Sequence, residues 1–298
     1  MSMTKTLGVL AYIDNNANMI EDFSWLYKSW IHSGNWKTSD LIVVHHPDVA
    51  AHLPQGEAGV ITVPCLPVAV PGSPFEGYPF INSIACLTGP HIDPIAARYP
   101  CLLRTDADVF LTEHLANYRP GYAVHGRGLY HRTEDFRAGM VDFCRRHGIT
   151  HMNHFGCGHS LLAPAELVMH MVSRQTYWTE IVLKDFGART GTWPGWFRGV
   201  ATMYAAEIVA NESYGAFLYN GRERILDVES YGIGPIDEMV YHIHAIHTED
   251  YFSKHRYRLG EYQHIDVEGL DRGVIREYCH WIVAADVNRI KDMACYPA

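Results

Sequence analysis

The 298-residue chain predicts an α/β fold built on a mixed, mostly parallel sheet flanked by helices. Short apolar, β-rich runs recur through the first hundred residues. A stretch with helical periodicity lies between the first two. The resulting order (strand, helix, strand, strand, helix, strand) is that of a sheet wound largely in parallel.

The first run is "TLGVLAYI", Thr6 to Ile13, and it ends in the polar stretch "DNNAN". From Ile20 to His32, the residues Phe23, Leu26, Tyr27 and Trp30 recur at i, i+3, i+4 and i+7, which is one face of a helix. "DLIVVHH" and "GVITVPCL" predict two more buried strands, and "FINSIACL" a helical or irregular segment. "CLLRT" predicts a fourth strand that runs into Asp106 and Asp108. Ligands of such sheets gather at the carboxyl ends of the strands. Further on, Thr133 to Gly148 predicts a helix with an N-cap threonine and a C-cap glycine. "HMNHFGCGHSLLAP" reads as a Gly- and His-rich loop running into a short apolar run. Helix propensity returns around Met203 to Ala210. "MVYHIHAI" alternates like a half-buried strand, and a charged loop follows. No linker-like boundary appears, so one domain is expected over 1–298.

The composition, 48% hydrophobic and 19% charged, is that of an ordinary globular chain. A formal net charge of -9 disfavours a broad grip on nucleic acid. Nineteen histidines make metal binding worth testing. Seven cysteines without a CxxC pair read as free thiols of a reducing compartment. The longest early apolar run is too short to span a bilayer, and neither a signal peptide nor a membrane span is evident. A cytoplasmic location is the expectation.

The stretch "YPCLLRTDADVFLTEHL" raises the chemical question. Two carboxylates one residue apart at the end of a buried strand repel each other unless a cation lies between them. A solvated turn would need no cation, but the flanks are apolar on both sides. A calcium loop of the EF-hand type needs Gly at its sixth position and Glu at its twelfth. Leu111 and Asn117 stand there. A phosphatase of the haloacid dehalogenase type carries its D-x-D on the first strand, with Thr or Val where this chain has Phe110. A divalent Mg²⁺ or Mn²⁺ site suits the oxygen ligands best.

A D-x-D motif after a hydrophobic strand, about one hundred residues into an α/β half, resembles the glycosyltransferases of the GT-A fold. "LLRTDADVFL" carries that resemblance in both place and flanks. It implies a GT-A-like domain with a nucleotide-sugar half over about 1–115 and an acceptor half over about 116–298. It further implies a nucleotide-sugar donor such as a UDP-sugar, and Mn²⁺ or Mg²⁺ bridging its diphosphate. Asp108 and Asp106 are the implied metal ligands, and Asp106 also contacts the ribose or sugar. Tyr12, Asp14 and Arg104, at the ends of the first and fourth strands, are the further donor-contacting candidates with Asp106.

Such enzymes add a late histidine to the metal, and "YHIHAIHTEDYFSKHRYR" offers His242, His244 and His247. On a strand, His242 and His244 share one face while Ile243 and Ala245 share the other. The resemblance to retaining, glycogenin-like transferases points to His247, which is followed seven residues later by Lys254. There the pattern has six residues and a Gly that is missing here. Lys254, Arg256 or Arg258 would offset phosphate charge as the donor bond breaks.

The run "HMNHFGCGHS" holds His151, His154, Cys157 and His159. Its irregular spacing speaks against a zinc site, its Gly-Cys-Gly core suggests a close backbone approach, and the GT-A resemblance implies a loop lining the space between donor sugar and acceptor. Among the acids Asp185, Glu207, Asp237 and Glu238, the pair Glu207 and Asp237 is the candidate catalytic pair. Glu207 is chosen because "MYAAEIVA" is otherwise apolar. Trp193, Trp196 and Phe197 read as core or lid. The expected activity is metal-dependent hexosyl or pentosyl transfer, with the His247 and Lys254 pattern favouring retention. The acceptor would be a glycan, or more remotely a hydroxylated base in viral DNA. A metal-dependent hydrolase of phosphoesters or sugar nucleotides is the alternative.

Overall fold

The computed structural model describes residues 5–130, 133–153, 155–186, 192–193, 195–213 and 225–297. The first strand, β1 (Leu7–Ile13), is buried at every position. It is the centre of a six-stranded sheet, which accounts for a run that is apolar throughout rather than alternating. On one side lie β2 (Ser39–His45) and β3 (Val60–Pro64), both parallel. On the other lies β4 (Cys101–Arg104), also parallel. The order is β3-β2-β1-β4-β7-β6, where β6 is Val124–Arg127 and β7 is Cys157–Pro164. β7 alone runs antiparallel, paired to β4 and β6. The expected mixed, mostly parallel sheet is therefore the sheet of this protein.

Helix α1 (Ala17–His32) begins three residues before the apolar periodicity does. Asn16 caps it by accepting from the N–H groups of Asn18 and Met19, so the polar "DNNAN" run is a helix start. The predicted stripe is buried: Phe23, Leu26, Tyr27 and Trp30 pack under the sheet. "FINSIACL" contains a 3₁₀ turn at Pro79–Ile81 and a single turn, α2 (Asn82–Ala85), followed by α3 (Asp93–Ala96). The helix α4 (Glu134–Arg146) has Thr133 as its N-cap, and Gly148 leaves it at a φ of 72°.

Two helices follow β7. α5 (Ala165–Phe186), an element missing from the sequence expectations, packs against α6 (Ala201–Ser213). The expected Gly-rich loop at 151–164 is half strand, because β4 and β6 offer backbone partners on both sides of Cys157–Pro164. The last third returns to the front of the chain. α7 is Lys254–Arg258, α8 Ile275–Ala284 and α9 Val287–Ala294. α8 and α9 pack on α1. Lys28 of α1 donates to the carbonyls of Val283 (2.6 Å) and Ala285 (3.2 Å), which closes the end of α8.

One element decides where the chemistry sits. β5 (Val109–Leu111) follows the two aspartates and pairs antiparallel with β9 (His242–His244). β8 (Val228–Glu229) completes this second sheet. The expected strand "MVYHIHAI" is shorter than its alternation because β5 supplies only three partners. Among the described residues no helix is long and apolar enough to cross a membrane. All seven cysteines are free thiols.

Candidate functional site

β4 ends at Arg104, and Thr105 still bonds the carbonyl of Leu10 (3.0 Å) before the chain turns through Asp106 and Asp108. The β5–β9 ladder then sets His244 opposite Val109, and the N–H of Ala245 donates to the carbonyl of Asp108 (2.8 Å). The two segments singled out in the sequence therefore meet. Ligand atoms of Asp106, Asp108 and His244 lie within 4.8 Å of one another. Two carboxylates and an imidazole form a donor set that fits Mg²⁺ or Mn²⁺. Their side chains keep 25%, 12% and 24% of their surface open, so an ion has access.

The histidines divide as strand alternation dictates. Ile243 and Ala245 face the hydrophobic core, and His242 and His244 the other side. His244 Nε2 stands 3.3 Å from Asp108 Oδ2. His242 is fully buried; its Nδ1 accepts from the Asp227 N–H (3.1 Å), so its Nε2 carries the proton toward Thr105 Oγ1 (2.7 Å). It pins strands together. His247, the ligand expected from the sequence, is exposed with its ring toward His255, and it is not part of the cluster.

Charge around the aspartates is balanced by the protein itself. Arg104 Nη2 lies 3.3 Å from Asp106 Oδ1, and His159 Nδ1 3.5 Å from Asp106 Oδ2. Burial raises the Asp106 carboxyl, but His159 and Arg104 outweigh it and hold the group below the usual range. Asp108 is likewise raised by burial and lowered further by Lys254 and His244. Burial lowers His244, but Asp108 outweighs it and lifts the imidazole to about 9. The Lys254 ammonium contacts Asp108 Oδ2 directly.

One side chain beyond the sequence candidates adjoins the site. Asp227, held at a φ of 53°, accepts from Ser160 Oγ (2.6 Å) and lies 3.8 Å from His244 Nδ1. At that distance the carboxylate acts on the imidazole as a nearby charge rather than as a hydrogen-bond partner. Gly126 and Gly158 make room for it: a Cβ on Gly158 would stand 2.5 Å from Asp227 Oδ2 and 2.5 Å from the Gly126 carbonyl carbon. The glycines of the 151–160 segment thus serve close backbone approach, as expected. His159 of the same segment faces Asp106, whereas His151 and Cys157 are buried elsewhere, bonded to Glu207 and His125. His154 lies outside the described residues. The signal for Asp227 was slight, a single acid after the apolar pair Ile225 and Leu226.

The other candidates are placed as follows. Tyr12 is 2% exposed in the core, its hydroxyl pushed up by burial. Asp14 accepts from Asn82 Nδ2 (3.0 Å) at the end of β1. Arg104 is fully buried and also bonds the carbonyls of His159 and Ser83. Glu207 is enclosed, accepting from Tyr130 Oη (2.6 Å), His151 Nε2 (3.0 Å) and the Gly156 N–H (2.8 Å). Asp237 accepts from the Met239 N–H in the turn before β9. Asp185 pairs with Arg146 on the surface. Trp196 stacks on Tyr204 inside the fold, while Trp193 is half exposed.

Among solved structures, the chain is similar to the apo form of glycosyltransferase GlyE from Streptococcus pneumoniae TIGR4. The identity is 12% and the TM-score 0.50, over 97% of this chain and 62% of that one. It is also similar to the bifunctional glycosyltransferase WbbM, at 11% identity and a TM-score of 0.53, over 98% of this chain and 52% of that one. The chain thus spans less than two thirds of either structure's length. The likeness shows the GT-A glycosyltransferase fold expected from the D-x-D motif. No curated protein matches the sequence. Residues 72–295 match the family described as domain of unknown function DUF7164, and with well over half of the chain covered the protein belongs to that family.

Proposed function

We propose that this protein is a metal-dependent glycosyltransferase that moves a sugar from a nucleotide-sugar, of which a UDP-sugar is the first to test, to an acceptor hydroxyl. One observation carries the reading: β5 and β9 bring Asp106, Asp108 and His244 together at the carboxyl end of β4, where α/β sheets take their ligands. Asp106, Asp108 and His244 would hold Mn²⁺ or Mg²⁺, which when bound would neutralise the diphosphate of the donor. Asp227 places a carboxylate 3.8 Å behind His244 Nδ1. Lys254 and Arg104 supply positive charge beside the aspartates, where phosphate charge develops as the donor bond breaks.

Retention is the stereochemical course this reading favours. An inverting enzyme needs a carboxylate base against the acceptor hydroxyl. Of the two sequence candidates for that base, Glu207 is spent on internal donors and Asp237 accepts from the Met239 N–H in the turn before β9. The acceptor class in this reading is a glycan.

The test is incubation with a panel of UDP-sugars and Mn²⁺, following UDP release with and without oligosaccharide acceptors. Slow release alone and faster release with the right acceptor is the expected result; the anomeric configuration of the product, read by NMR, settles the course. Asp108→Ala should abolish Mn²⁺-dependent UDP binding. Release of inorganic phosphate from simple phosphoesters, with no UDP formed, would overturn the reading in favour of a hydrolase.

A further inference from the structure

The lysine on Asp108 has a second carboxylate within reach, and this gives it a role before any donor arrives. α7 is one short turn, with Lys254 and Arg258 four residues apart and so on one face. Arg258 fastens that turn to α1: Nη2 is 2.5 Å from Asp22 Oδ1, Nε is 2.7 Å from Glu21 Oε2, and the guanidinium lies 5.5 Å from the Trp25 ring centre. Lys254, one turn earlier, reaches the other way and contacts Asp108. Arg258 ties Asp22 to the same short turn that carries Lys254. Asp22 and Lys254 are both largely buried, with 9% and 12% of their side chains exposed. The ammonium thus rests on a carboxylate of the metal cluster, while a carboxylate of α1 is bound to the same turn, and both are largely shielded from water.

We infer that Lys254 is the resident counter-cation of the metal site: it occupies Asp108 in competition with a divalent cation, and Asp22 receives the ammonium when the cation takes Asp108. The inference rests on the metal reading of Asp106, Asp108 and His244. A divalent ion on Asp108 repels an ammonium in contact with the same oxygen, and the loss of that ion pair is set against metal binding. Four rotatable bonds let the lysine swing without moving α7, which Arg258 holds. Asp22 then keeps the displaced ammonium at the edge of the cleft, beside the place where a diphosphate would lie. Asp22 is a positioning residue in this scheme, acting through Lys254.

Two measurements test it on the intact chain. Mn²⁺ binding is followed through the free-ion EPR signal, and the acetylation rate of Lys254 is read by mass spectrometry with and without Mn²⁺. Lys254→Met should bind Mn²⁺ roughly tenfold more tightly than the wild type. In the wild type, saturating Mn²⁺ should speed acetylation of Lys254 several-fold, and in Asp22→Asn further still, since the freed amine has lost its second anchor. Unchanged or weaker Mn²⁺ binding in Lys254→Met would overturn the exchange. So would tighter binding in that variant combined with a wild-type Lys254 whose acetylation ignores Mn²⁺, because bulk charge alone would then explain the affinity. The labelling arm needs no lysine variant, so a folding defect in Lys254→Met leaves it decisive. Binding of Mn²⁺ by neither protein would sink the metal reading, and the exchange with it; binding by Lys254→Met alone would support the exchange in its strongest form.

Discussion

Glu207 separates a structural from a catalytic carboxylate, and Glu207→Gln is the perturbation that reads the difference. The carboxylate accepts three bonds on Oε2, from Tyr130 Oη (2.6 Å) and the N–H groups of Gly156 (2.8 Å) and Cys157 (3.4 Å). Oε1 faces His151 Nε2 at 3.0 Å. His151 has no freedom to adapt, because its Nδ1 already accepts from the Asn153 N–H (3.0 Å), so Nε2 must carry a proton. A glutamine that keeps its oxygen on the three donors turns its NH₂ onto that N–H, donor against donor; the flipped amide sets NH₂ against backbone N–H groups instead. Either way one charge-assisted hydrogen bond is lost inside the fold, which costs about 2–3 kcal/mol. Glu207→Ala removes all four contacts and should cost about 3–5 kcal/mol. For a chain of this size Glu207→Gln should lower the melting temperature by roughly 3–5 °C in a calorimetric scan. Sugar transfer measured well below that temperature should fall only modestly. A Glu207→Gln protein with unchanged melting temperature and no transfer would refute the argument and restore Glu207 as the catalytic base.

Four further outcomes follow from the same contacts. His244→Ala should weaken Mn²⁺ binding by a hundredfold or more, whereas His247→Ala should leave it within about twofold, both read by titration against the free-ion signal. Asp227→Asn should weaken Mn²⁺ binding several-fold by removing the charge behind His244, and should also cost about 1–3 kcal/mol of stability, since the buried carboxylate accepts from the Ser160 hydroxyl and N–H. Gly158→Ala forces β6 and β7 apart at Gly126 and Asp227, and should cost about 1–3 kcal/mol in denaturant unfolding. His32 is lowered to about 4 by burial and by Arg272, against Tyr278 and Trp281 rings. The unfolded chain therefore binds the extra proton first, and stability falls as pH drops from about 6.5 toward 4. His32→Phe should remove about 1–2 kcal/mol of the loss between pH 7 and pH 5, by melting curves at the two pH values.

What was legible in the sequence follows from what is local. β1, β2 and β4 are apolar because neighbours cover both faces, so their residues announce them without partners. The buried stripe of α1 repeats on a helical period for the same reason. α5 carries such a stripe too, with Val168, Met171, Val172, Gln175, Trp178, Thr179, Val182 and Phe186 buried. It is interrupted by Gln175 and Thr179, whose polar groups are satisfied by the carbonyls of Thr202 and Gln175. Those partners are invisible before the fold is known. β7 hides behind glycines placed for Asp227, a residue about seventy positions later. Glu207 drew notice correctly as an acid in an apolar helix. The sequence contains no sign that Tyr130, His151 and two backbone N–H groups would claim it.

The choice among three histidines shows why spacing alone misleads at this site. Which histidine faces the aspartates is decided by register, and register is set by the pairing of β5 with β9. Val109 lies opposite His244 and Leu111 opposite His242, so the chain passes the aspartates as it leaves His244, not three residues later. The Ala245 N–H then bonds the carbonyl of Asp108, the Ile246 N–H folds back onto the carbonyl of His244, and His247 is carried out to solvent. A slip of one residue would turn Ile243 toward the aspartates and push both histidines into the core. That slip is resisted by Ile243 and Ala245 on the buried face and by the hydrogen bonds that lock His242 between Asp227 and Thr105. His242 thus bears on the candidate metal site without joining it, by fixing which neighbour faces the aspartates. The motif distance from His247 to Lys254 has no hold on this geometry, because Lys254 reaches Asp108 from α7, a separate element fastened to α1 through Arg258.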